Sequence, residues 1–262
     1  MDEDLDRLLD GVPGFGRCGE CQYLQGGSAA LCHRRAGRSM EPLAPPDRRC
    51  PVCDQTFAEG AETCRNPVCG MGEKWFEWNY AIAMRSGVLE QVINAYKYAG
   101  PDSGERGWAA IFGRILVGFL DANRRVFGDM DLIIASPTYT GPGSRRSWDH
   151  VRDILEAAER EQVGPQRWPF DLRVPPAVVK TTDTEPMTRM KYKERRPHAE
   201  TEIRAALSVP DAARTRGRRI AVLDDVFTDG LTQREVARAL RLQGEAKEVY
   251  GVTLARQPYG RS

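Results

Sequence analysis

Cysteine is absent beyond residue 69, and only three histidines occur in 262 residues. His33, His150 and His198 are far apart and show no acid–base pair in the sequence. Excess charge is nearly absent too: the formal net charge is +1. No global field is expected, so any nucleic-acid contact must come from a local patch. A long apolar run is also missing. The longest candidate, near 107–126, is broken by Arg114, Asp121 and Arg124, which excludes membrane insertion at that segment. The acidic start MDEDLDRLLDG has neither the basic flank nor the apolar run of a secretory signal. A cytoplasmic, reducing setting is therefore expected, in which paired cysteines point to metal binding before disulfides.

What is present is concentrated. All seven cysteines precede residue 70, in a stretch rich in Gly, Pro and Arg. Composition changes near Glu73, where KWFEWNYAIAM begins an aromatic and aliphatic run, so the sequence divides into a cysteine-rich module, 1–72, and a larger domain, 73–262. Within the module, Cys18-x2-Cys21-x10-Cys32 is echoed by Cys50-x2-Cys53-x10-Cys64, followed by Cys69. Cys50, Cys53, Cys64 and Cys69 form a complete set for structural Zn²⁺, which takes four thiolates at tetrahedral corners. Cys18, Cys21 and Cys32 lack a fourth cysteine. A second zinc there needs His33, the nearest candidate, or a more distant ligand. A closed four-cysteine site has no open position for catalysis, so its expected work is to fold a module too small for its own core. Arg34, Arg35, Arg38, Arg48 and Arg49 add local positive charge, through which the module would hold a single-stranded nucleic acid or a protein partner. Self-association stays open.

In the larger domain, Trp108, Ile111, Phe112, Ile115, Leu116, Phe119 and Leu120 recur at helical spacing. Strands are predicted at 131–137, 177–180, 219–225 and 248–256, with a helix from Thr232 closed by Gly244. Short apolar strands alternating with amphipathic helices predict an α/β fold with a parallel sheet flanked by helices.

The most informative segment is Ile220-Ala221-Val222-Leu223-Asp224-Asp225-Val226-Phe227-Thr228-Asp229-Gly230-Leu231-Thr232. It joins a buried strand to a helix through a polar turn. Backbone N–H groups converge at such a junction and form an anion site. Two carboxylates at the carboxyl end of a strand suit vicinal hydroxyls or hydrated Mg²⁺, not phosphate. A sugar phosphate satisfies both halves. A Walker A loop is excluded, because no Gly-Lys-Ser/Thr occurs there.

Four apolar residues, two acidic residues and a Thr/Gly-containing turn resemble the phosphoribosyl pyrophosphate (PRPP) signature of type I phosphoribosyltransferases. The whole chain is similar to the ComF-like branch: a double zinc-ribbon module, then INAYKYAG (93–100), then a transferase-like domain ending in GVTLARQP (251–258). The resemblance implies that Asp224 and Asp225 contact the ribose hydroxyls with Mg²⁺. It implies that Thr228, Asp229, Gly230, Leu231 and Thr232 cradle the 5′-phosphate. Ser136, Pro137 and Thr138 stand at the pyrophosphate-loop position, and Lys97 lies in the family-like Lys-Tyr segment. Arg145, Arg146, Lys191, Lys193, Arg195 and Arg196 are candidates for a loop closing over the site. Three departures are specific. Asp229 stands where many members have Thr, Leu231 where a small residue is common, and Arg146-Ser147-Trp148-Asp149 replaces Arg-Gly-Phe-Asn. A carboxylate beside a phosphate repels it unless it turns away or meets Mg²⁺. The expected function is phosphoribosyl transfer with pyrophosphate release to an acceptor the sequence does not name. The alternative is a non-catalytic PRPP sensor or a protein of DNA uptake.

Overall fold

Arg219–Phe227 (β5) shows why a parallel sheet forms. Its Ile220 and Val222 face one apolar cluster, its Ala221 and Leu223 the other, and all four are fully buried. A strand covered on both faces reads as a continuous apolar run, as this one does. In the computed structural model, which describes residues 41–61, 63–100, 102–162 and 167–258, β5 lies inside a four-stranded parallel sheet. The order is β1 (Asn79–Met84), β6 (Glu248–Arg256), β5 and β2 (Leu132–Ala135), all pairs parallel. The strands predicted at 131–137, 219–225 and 248–256 are thus β2, β5 and β6.

Helices cover one face: α1 (Gly87–Lys97), α2 (Trp108–Ala122), the short α3 (Arg124–Phe127) and α4 (His150–Glu161). The predicted apolar stripe of α2 is buried at Ile111, Phe112, Ile115, Leu116, Phe119 and Leu120, but Gly113, Val117 and Gly118 are buried as well. The helix packs along α4 within the apolar cluster on that face, so it has almost no solvent face. Arg114, on the side toward α4, pairs with Glu161 at 2.7 Å.

The other face is covered by the helix after β5, here written α7 (Leu231–Leu242), and by the segment 177–207. That segment departs from expectation. The strand expected at 177–180 does not enter the parallel sheet: β3 (Val179–Lys180) pairs antiparallel with β4 (Leu207–Ser208) as a separate two-stranded unit. Between them lie α5 (Tyr192–His198), a π-helical turn (Ala199–Ile203) and α6 (Arg204–Ala206). Of residues 177–181 only Ala177 and Val178 are apolar and buried, and Lys180 and Thr181 are polar, so the run is too short to serve as an internal strand.

Cys50, Cys53 and Val68 belong to the same buried cluster as Ile134, Val222, Phe227 and Leu231. The Cys50–Cys53 turn also docks on β1, where Asp54 accepts the Ala81 N–H at 2.8 Å. Among the described residues no helix is long and apolar enough to cross a membrane.

Candidate functional site

A difference in strand length opens the site. β2 pairs with β5 only as far as Ala135↔Leu223, whereas β5 continues beside β6 to Phe227↔Arg256. Past Leu223, the flank of β5 facing β2 loses its neighbour, because the chain after β2 turns away into Ser136, Pro137 and Thr138. A cavity of about 440 Å³ lies there, beyond the carboxyl ends of both strands, where open α/β sheets place ligands.

Of the residues singled out in the sequence, this cavity gathers Lys97, Ser136, Pro137, Thr138, Arg145, Arg146, Asp224, Asp225, Thr228, Asp229, Gly230 and Thr232. Leu231 stands apart, with its side chain packed in the apolar core. Lys193 lines a different cavity, beside Gly70–Glu73 and Arg234. Arg195 is not part of the lining but reaches Asp229 Oδ2 at 3.5 Å. Cys18, Cys21, Cys32 and His33 lie outside the described residues, as do Arg34, Arg35 and Arg38.

The two aspartates live in different fields. Asp225 accepts from Lys97 Nζ at 2.5 Å and from His150 Nε2 at 3.0 Å. Burial works to raise its pKa, but the Lys97 charge and the His150 hydrogen bond overcome this and hold it well below the ordinary carboxylate range. Asp224 has no cation in contact among the described residues. Burial, reinforced by the Asp225 charge, pushes it up to about 7. His150 is buried, and desolvation brings it down to about 4. It is therefore neutral near pH 7, with Nε2–H toward Asp225 and Nδ1 free to accept from Arg146 at 3.0 Å. This tautomer follows from the hydrogen-bond network. The sequence showed no partner for any histidine. His150 opens α4 and Asp225 lies two residues before the end of β5, so only the packing of the helix on the sheet makes them neighbours.

The structure accounts for Asp229. Its Oδ1 accepts the Leu231 N–H at 3.1 Å, capping α7, and its Oδ2 faces Arg195. The carboxylate is occupied and charge-compensated inside the protein. Gly230 has φ +81°, and a Cβ there would sit 2.5 Å from Phe227 Cζ and 2.9 Å from Val68 Cγ1. Only glycine fits that backbone and that space.

Lys180 and the 183–185 segment line the cavity without any signal in the sequence. Lys180 donates to Thr184 Oγ1 at 2.7 Å, and burial lowers its pKa. Arg145 is bound to Asp183 at 3.1 Å, to Glu185 at 3.2 Å and to the Thr184 carbonyl. These contacts join the loop after β2 to the 183–185 segment across the cavity mouth.

The second centre is the cysteine set. The Sγ atoms of Cys50, Cys53, Cys64 and Cys69 all lie within 4.8 Å of one another, with Cys50–Cys69 and Cys53–Cys64 at 3.6 Å each. Tetrahedral coordination with Zn–S near 2.3 Å requires S–S edges of about 3.8 Å. The four thiols are therefore already at ligand spacing, and they can hold a metal ion such as zinc. Backbone N–H groups of Val52 and Asn66 point at Cys50 and Cys64 sulfur, each at 3.4 Å, which favours thiolates. Hydrogen bonds from Cys53, Cys64 and Cys69 pull Cys50 well below the ordinary thiol value, while Cys50, Cys53 and Cys64 push Cys69 up.

No model of a known protein family matches the chain. No curated protein matches it.

Proposed function

We propose that the chain binds PRPP with Mg²⁺ in the cavity beyond β2 and β5 and transfers its phosphoribosyl group, releasing pyrophosphate. One observation carries this reading. A pair of carboxylates at a strand end is followed at once by a left-handed glycine turn and a helix N-terminus. All of these line a cavity whose lining also holds a second strand-end loop and several cations. Carboxylates match ribose hydroxyls, and the turn with the Thr228 and Thr232 hydroxyls matches the 5′-phosphate. Lys97, Lys180 and Arg146 match the pyrophosphate.

In the proposed reaction, the acceptor's lone pair forms the new bond to C1 of the ribose. The C1–O bond breaks and its electron pair leaves with pyrophosphate. Asp224 would hold Mg²⁺, which when bound would supply charge neutralisation to the leaving group. Asp224 is the aspartate available for that role, since Asp225 is already held by Lys97 and His150. The protein's own work is to orient the sugar and place cations where charge develops. The bridge from Arg145 to Asp183 and Glu185 limits water entry from the cavity mouth.

The test is calorimetric titration with PRPP and Mg²⁺ of the wild type and of the Asp224→Asn, Asp225→Asn double variant. Saturable binding by the wild type, lost in the double variant, is expected. Absence of wild-type binding would overturn the reading. Binding without pyrophosphate release, with nucleobases or amines supplied, would leave a PRPP sensor in place of a transferase.

A further inference from the structure

Arg256, the last residue of β6, is completely buried and, among the described residues, makes no ion pair with a carboxylate. A buried guanidinium is costly unless its charge and its donors are both met. Its donors are met by backbone. Nε donates to the Cys53 carbonyl at 2.8 Å, and one terminal nitrogen donates to the carbonyls of Phe227, Thr228 and Gln257 at 2.8, 2.7 and 2.7 Å. The other terminal nitrogen lies 3.6 Å from Cys53 Sγ. Four thiolates around one divalent ion carry two net negative charges, so the loaded cysteine site adds counter-charge to Arg256 beside that of the buried Asp54 carboxylate, with which it interacts electrostatically.

The same side chain thus grips the cysteine site with one edge and the start of the 228–232 turn with the other. Two further contacts follow that route. Asn66, between Cys64 and Cys69, is buried and donates from Nδ2 to the Thr228 carbonyl at 3.2 Å. Val68, in the same knuckle, packs where a Cβ on Gly230 would have to go. A helix-capping turn is ordinarily held by its own strand and helix. This one is held from outside, by the segment carrying the cysteines.

We propose that metal in the Cys50–Cys53–Cys64–Cys69 site sets the conformation of the 228–230 turn through Arg256 and Asn66, so that anion binding at the turn depends on the metal. Arg256 and Asn66 are positioning residues. The part concerning PRPP rests on the function proposed above; the coupling of metal to turn does not.

Hydrogen exchange of the full chain tests the coupling without any ligand. Chelation of the metal is expected to speed exchange at Asp229–Leu231 at least ten-fold, while the amides of α2, on the far face of the sheet, keep their protection. Asn66→Ala and Arg256→Lys, which retain all four thiols, are expected to do the same with metal content unchanged. If chelation also exposes α2, the Asn66→Ala protein decides. Unchanged exchange at Asp229–Leu231 in that variant, with metal bound, overturns the proposal. Titration with PRPP and Mg²⁺ is the second arm. Affinity is expected to fall at least ten-fold on chelation and in Asn66→Ala. A wild type that binds no PRPP, yet shows metal-dependent exchange at the turn, would sink the PRPP reading and leave the coupling standing.

Discussion

Burial raises the pKa of a carboxylate, and at the end of β5 it acts on both aspartates; Asp225 escapes because Lys97 and His150 meet it. Asp224, without such partners and beside a neighbouring charge, titrates at about 7. The form that accepts a ribose hydroxyl or a metal ion is the ionised one. Under the proposed function, affinity for PRPP with Mg²⁺ should therefore rise with pH through about 7 and level off above it, by no more than about ten-fold per pH unit. Calorimetry in buffers spanning that range should give a flat profile for Asp224→Asn. Gly230 offers a second test at this scale. Its φ of +81° and its contacts with Phe227 and Val68 leave no room for a methyl group. Gly230→Ala should cost about 1–3 kcal/mol from backbone strain and overpacking, read from urea unfolding, and should weaken anion binding at the turn.

At the scale of elements, the site is a consequence of stagger. β2 stops four residues short of the end of β5, and the cavity occupies the space that a longer β2 would fill. α2 and α4 close the face behind it, and they approach most tightly at Gly113. A Cβ there would lie 2.6 Å from Ala158 N and 2.8 Å from Ala157 C. Alanine in a helix interior is ordinarily better than glycine by about 1 kcal/mol. Here the contact is with backbone, which cannot move aside, so the overpacking cost of about 1–3 kcal/mol prevails. Gly113→Ala should lower the melting temperature by a few degrees in a thermal melt, because the helices must separate to admit it.

For the molecule as a whole, the cysteine knuckles share a hydrophobic cluster with the sheet and α7. Loss of the metal should therefore lower the stability of more than residues 50–69. At a hundred-fold excess over its dissociation constant, a bound ion contributes about 2.7 kcal/mol, so chelation should depress the melting temperature by several degrees. Metal analysis should find at least one equivalent per chain in the untreated protein, and Cys50→Ser should reproduce the chelated melt.

Much of this was legible in the sequence where the determining pattern is local. The four-cysteine set spans twenty residues, the β5 run declares itself by continuous burial, and the Asp-Asp turn is one unbroken segment. β6 was readable at both ends for the same reason. The β3 segment was misplaced, because two apolar residues before a lysine do not distinguish an internal strand from a short antiparallel pair. What no local pattern contains is which distant groups meet. Lys97 and Asp225 are 128 residues apart, His150 and Asp225 are 75 apart, and Arg256 and Cys53 are 203 apart. Residue types and spacing alone determined that there would be thiols at ligand spacing and carboxylates at a strand end. Strand order and stagger decided which carboxylate is held ionised and which thiol cluster faces the buried arginine, because electrostatics depends on distance in space and on exclusion of water, and both are set only when the layers pack.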